Sequence, residues 1–229
     1  LKAIEEPPEH TVWLLCAPSP EDMIATIRSR CRHLGLRIPT ANAVADLLVR
    51  EGVATPEVAL EAARAAQSHI GLARALAADP EMRARRRAIV TAPASVRSVG
   101  EAVLAADRLL ETAKAQADAQ VSERNAREKA ELLRQLGMEE DERATKASRT
   151  LIRQLEEDQK RRSKRALTDA IDRALIDLLA IYRDVLMTQV GGDGELINAD
   201  LADLVRSIAA ESTPRQTLSR VDHIETARR

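Results

Sequence analysis

Phenylalanine is absent from this 229-residue sequence, and tryptophan and tyrosine occur once each. β-Sandwiches and barrels draw on alternating β-branched and aromatic residues, so the shortage argues against an all-β fold. Cysteine occurs twice, at Cys16 and Cys31, outside any Cys-x-x-Cys or Cys/His ligand spacing. No disulfide framework and no signal peptide can be read, which points to a reducing, cytoplasmic compartment. His10, His33, His69 and His223 are too dispersed to form a metal-ligand pair, so no metal site is expected. No apolar run approaches the ~20 residues that a membrane span needs. Neither sign of charge is in excess: 35 Lys and Arg stand against 36 Asp and Glu, a net charge of −1. Tight, sequence-blind binding of nucleic acid by this chain alone is therefore not expected.

What is present is helix-forming. Ala, Leu, Arg and Glu dominate, with 45% hydrophobic and 31% charged residues. The chain is long enough for more than one domain. It begins Leu1-Lys2-Ala3-Ile4-Glu5-Glu6-Pro7-Pro8, read as a helix end stopped by two prolines, and it ends in an uncapped helical pattern. Both ends look cut, and a fragment of a longer protein is expected.

Residues 11–17, Thr-Val-Trp-Leu-Leu-Cys-Ala, form an apolar run bounded by Pro18 and Pro20, which reads as a strand buried on both faces of a parallel sheet. Cys16 would then lie in the core. Ser19 before Pro20-Glu21-Asp22 is a helix N-cap signal, and a short helix over 20–28 leads into Ser29-Arg30-Cys31. Residues 33–38 alternate as a second strand would. From Pro39 the texture changes. Three or four short helices follow: one capped by Thr40 and ending at Gly52, one capped by Thr55-Pro56-Glu57, one from about Ile70 to Ala77 that stops before Asp79-Pro80, and one that starts at Pro80 and runs to about Thr91. Beyond Pro93 the helices are long: Ser95 to Leu136, then Glu139 to Met187, around Gly137. They predict an antiparallel hairpin whose middle, 116–165, is charged and projects. After the break at Gly191-Gly192-Asp193-Gly194, two more helices are expected, Asn198 to Ala210 and Thr213 to Arg228.

Taken together, the Glu-Glu-Pro-Pro step, the run Val12 to Cys16 and Thr26-Ile27-Arg28-Ser29-Arg30-Cys31 resemble the AAA+ core of bacterial DNA polymerase III clamp-loader subunits. Gly71-Leu72-Ala73-Arg74-Ala75-Leu76 resembles that family's sensor-2 helix. Leu178 to Leu186, with Tyr182-Arg183-Asp184, resembles its collar helix, and Leu196-Ile197-Asn198 a step of the same domain. The charged hairpin resembles the extended collar of the actinobacterial branch. The resemblance implies a mainly α chain: the C-terminal remnant of an α/β AAA+ core over 1–38, a helical lid over 39–92, and a helical collar over 93–229 that carries the hairpin.

The resemblance also assigns roles. Arg30 is an arginine finger offered in trans to the ATP and Mg of an adjacent gamma/tau subunit. Arginine suits this because its planar, permanent charge donates two parallel hydrogen bonds to a phosphate. Arg28, Ser29 and Cys31 lie at that interface, Tyr182 in the collar packing, and Arg74 is a weaker, sensor-2-like nucleotide contact. Each has a plainer alternative: Arg30 as a structural bridge, Arg28 as a rim charge, Cys31 as a small buried residue, Arg74 as a lid-surface cation and Tyr182 as ordinary core. The position of the polar sensor-1 residue holds Ala17-Pro18, which offers no side-chain donor. That favours the non-hydrolysing delta-prime branch, with no cofactor bound by this fragment and no catalytic activity of its own. Its partners would be gamma/tau and delta subunits in a hetero-pentamer, with the sliding clamp and primed DNA reached through the complex. An ATP-hydrolysing gamma/tau-type or other AAA+ subunit is one alternative. A helical scaffold without any nucleotide link is another. Two basic clusters, Arg83/Arg85/Arg86/Arg87 and Lys160/Arg161/Arg162/Lys164/Arg165, lack interleaved aromatics and read as solvated or paired helix faces rather than DNA contacts.

Overall fold

The computed structural model describes residues 4, 6, 8–137 and 146–229. Most of the Leu1–Pro8 step, and the expected helix start at Glu139, lie outside these residues. The chain divides into two units, Leu1–Pro39 and Thr40–Arg229.

In the first unit the expected strands do not form. Residues 11–17 and 33–38 are coil, and no strand occurs among the described residues. Val12, Leu14, Leu34, Leu36 and Ile38 are exposed, and so is Cys16, which does not lie in a core. The physical reason is that a strand exists only as a member of a sheet: its backbone groups must pair with a neighbour. The two apolar runs do not pair with each other. The expected helix over 20–28 is interrupted too. Pro20–Asp22 is a single 3₁₀ turn, Met23 and Ile24 are extended, and α1 is one turn, Ala25–Arg28. Ile24, Thr26 and Ile27 are β-branched, which lowers helix propensity across this segment.

The second unit is helical throughout its regular elements. α2 (Ala41–Arg50) starts where Thr40 Oγ1 accepts from Ala43 N at 3.2 Å. α3 (Pro56–Ala65) has proline at its first position. α4 (Ile70–Ala78) is capped by the imidazole of His69, which accepts from Leu72 N at 3.0 Å. α5 (Pro80–Thr91) is capped by Asp79, whose carboxylate accepts from Glu81 N and Met82 N. Those two amides hold the Asp79 carboxyl below its ordinary value, the bond from Met82 most. The core of α2–α4 is built from alanine, including Ala59, Ala62, Ala63, Ala66 and Ala73, around Leu48, Val44 and Leu76.

α6 (Val99–Gln135) opens with a capping box: Ser98 Oγ accepts from Glu101 N, and the Glu101 carboxylate accepts from Ser98 N. Gly137 then takes a positive φ of 64°, which a side chain would resist. α7 (Lys146–Gln189) returns antiparallel to it. Ala113, Ala117 and Val121 of α6 meet Ala166 and Ala170 of α7. Farther out the pair is held by polar groups: Gln159 Nε2 donates to Asn125 O at 2.9 Å, and Arg162 Nη1 donates to Asn125 Oδ1 and Glu128 Oε2, both at 2.8 Å. α8 (Ala202–Ala210) and α9 (Pro214–Arg228) fold back onto α7. Gln189 fastens that corner: its amide donates to Ser212 O at 2.7 Å and accepts from the buried Thr217 hydroxyl at 2.9 Å. A second core joins Val90 of α5 to Ile181, Val185, Leu201, Val205 and Ile208.

Candidate functional site

Arg28, Ser29, Arg30 and Cys31 share the turn that ends α1. The turn is set up upstream by Ser19, whose hydroxyl accepts from Glu21 N while its own amide donates to the Asp22 carboxylate at 3.1 Å. A further hydrogen bond from the Ser19 hydroxyl to the Glu21 carboxylate lowers the Glu21 carboxyl. At the far end, Ser29 N donates to Ala25 O and Arg30 N to Ile27 O, both at 3.0 Å. The carbonyl of Thr26 then accepts twice, from Ser29 Oγ at 3.2 Å and from Arg30 Nη1 at 2.9 Å. Arg28 Nη1 reaches Pro20 O at 3.5 Å. Arg28 and Arg30 are exposed, and Cys31 is half-buried. Two cations thus stand where helix carbonyls point outward, the end of a turn that favours positive charge. The arrangement supplies fixed, exposed guanidinium donors and no general base.

The other expected site residues lie in the second unit, where Arg74 and Tyr182 stand on different helices. Arg74, on α4, pairs with Glu51 at 2.5 Å, both side chains well exposed. Tyr182, on α7, packs against the Val90–Ile181 core, with the Arg220 guanidinium 5.7 Å from its ring centroid. Burial raises the Tyr182 phenol above its ordinary value. The first basic cluster is consumed internally. Arg83 donates to Leu76 O and Ala77 O, Arg85 pairs with Asp79 and Glu81, Arg86 with Asp177, and Arg87 with Asp200. In the second cluster Arg161 pairs with Asp158 and Arg162 with Glu128.

Among the most enclosed polar groups are two residues that the sequence offers only as members of separate steps, with no role attached. Asp184 and Asn198 are fully buried. Asp184 Oδ2 accepts from Asn198 N at 2.8 Å and Asn198 Nδ2 at 3.0 Å; Oδ1 accepts from Ile197 N at 3.0 Å and Arg183 Nη1 at 2.9 Å. The Tyr182-Arg183-Asp184 and Leu196-Ile197-Asn198 steps, noticed separately, are therefore one contact. The available signal was helical spacing: Asp177, Ile181 and Asp184 recur at intervals of four and three, placing two carboxylates on a core-facing stripe. Asp177 is 5% exposed, and burial raises its carboxyl despite Arg86 beside it.

Among the described residues no group of His, Cys, Asp and Glu is arranged to hold a metal ion, and no helix is long and apolar enough to cross a membrane. Residues 1–40 match the family described as DNA polymerase III, delta subunit. The chain is 40% identical over 50 residues to the DNA polymerase III subunit gamma/tau of Mycobacterium bovis and of Mycobacterium tuberculosis. It is 38% identical over 76 residues to the DNA polymerase III subunit delta' of Escherichia coli. The matched stretches cover 22% and 33% of this chain, and only 9% and 23% of those relatives. No solved structure matches. The matches are thus to short stretches of DNA polymerase III subunits.

Proposed function

We propose that this chain is part of a delta-prime-type clamp-loader subunit that offers Arg30 in trans to Mg-ATP on an adjacent gamma/tau subunit. The observation that carries this reading is one of position. Arg30 stands exposed at the end of the α1 turn, inside the stretch 1–40 that matches a DNA polymerase III family. In the proposal, residues 1–38 are the tail of an AAA+ core, 39–92 a lid and 93–229 a collar. Arg30 stabilises charge that develops on the transferred phosphoryl group. Ala17-Pro18 supplies no hydroxyl to sense a γ-phosphate, so hydrolysis belongs to the neighbour. Arg74 would reach nucleotide only by releasing Glu51. Partners are gamma/tau and delta subunits, and through them the sliding clamp and primed DNA.

The matches to gamma/tau subunits favour a second reading, in which the subunit hydrolyses ATP itself. Both are tested in one reconstituted loader containing the full-length subunit. On the first reading Arg30→Ala leaves assembly intact and lowers ATPase and clamp loading at least tenfold, on the scale of about 10³-fold or more known for arginine fingers. Unchanged ATPase sinks it. ATP turnover by the isolated full-length subunit supports the second.

A further inference from the structure

Two of the apolar clusters in the second unit, the alanine core of α2–α4 and the core around Val90 and Ile181, are separate, and α5 takes part in both. Met82 packs against the alanine core of α2–α4, and Val90 enters the core with Ile181 and Val205. Between these points lies Arg86, its side chain 11% exposed. Its Nε donates to Asp177 Oδ1 at 3.0 Å, and its Nη2 to Asn198 Oδ1 at 2.5 Å. Asn198 in turn gives its amide protons to Asp184, which sits two helical turns beyond Asp177 on α7. One guanidinium thus reaches α7 directly at Asp177 and indirectly at Asp184.

We propose that the Arg86–Asn198–Asp184 relay, with Asp177, is a coupling device that makes the alanine bundle and the long helices one mechanical body. A buried planar fork holding two partners has no intermediate tilt. Rotating α5 breaks both bonds together and strands a buried carboxylate without its cation, so the joint is either engaged or released. The more exposed pair Arg87–Asp200 lacks this property, because water replaces what a tilt removes. Position and burial carry the inference, and it stands whether or not Arg30 meets a nucleotide.

Hydrogen exchange of the 229-residue chain tests it. In Arg86→Met, amides around Val44–Leu48, Ala59–Ala66 and Ala73–Ala77 are expected to exchange at least tenfold faster, while those around Ile181–Val185 and Val205–Ile208 keep their rates. Arg87→Ala serves as the surface control and changes neither set. Should Arg86→Met fail to fold because Asp177 is left unpaired, Arg86→Met/Asp177→Leu removes that charge and is read in the same way. Equal acceleration of both sets, as a merely stabilising contact would give, overturns the proposal. So does no change, or failure of both variants to fold.

Discussion

Asp184 accepts four hydrogen bonds in a fully enclosed site, two of them from backbone amides of residues 197 and 198. Removing a buried acceptor costs more than the bonds themselves contribute, since the donors are left without water or partner. Asp184→Ala is expected to lower unfolding stability by about 3–5 kcal/mol, as for breaking a buried charged pair, measured by urea denaturation. A loss near zero would mean that water enters the site. Arg74–Glu51 is a different kind of pair: both partners are exposed, so it contributes within the ~0–1 kcal/mol range of surface ion pairs. The residue scale was only partly legible in sequence. An acid on an apolar helix face signals burial, but its partners 13 and 14 positions away cannot be read from spacing.

At the scale of elements, the distal part of the α6–α7 hairpin relies on polar pairing. Glu128 accepts from Arg162 and Arg124, and these bonds, Arg162 foremost, hold its carboxyl down at about 2. A depressed carboxyl contributes stability that is complete above its unfolded value, about 4.3, and is lost as pH falls toward 2. The melting temperature should therefore decline between about pH 4.5 and 2, and Glu128→Gln should decline less over that window while melting lower at pH 7. Identical pH profiles for the two proteins would contradict this. Asp177 acts in the opposite sense, since its raised carboxyl loses favour as pH rises. The difference between variant and parent isolates Glu128. The helices themselves were legible, because their signals are local: Thr40 caps as its sequence context implies. The caps were less so: Thr55 makes no side-chain cap bond, and the long helix expected from Ser95 starts at Val99 behind Ser98. The strands were misread because an apolar run says that a segment is fit for a sheet, not that the sheet is there.

For the molecule as a whole, the chain divides after Pro39 and is not divided again near Pro93, and the hairpin follows from two long helical patterns around Gly137. That α5 joins both cores was not legible, since Arg86 lies 91 and 112 positions from its partners. The alanine core sets a further expectation. Ala63 is fully buried where α2, α3 and α4 meet. Ala63→Leu adds three carbons to closely approached backbones and should cost about 1–3 kcal/mol, the usual range for overpacking, read by thermal unfolding. A stabilised variant would imply unfilled space.

A core made of alanine has another consequence. Alanine has no side-chain rotamers, so folding this bundle freezes side-chain entropy chiefly at Val44, Leu48 and Leu76 and none at the alanines between them. The methyl groups of Ala59, Ala62, Ala63 and Ala73 move only as the backbone moves. At those positions a push from a neighbouring helix cannot be absorbed by a change of rotamer, and it passes to the backbone; only Val44, Leu48, Leu76 and the side chains packed around them can yield.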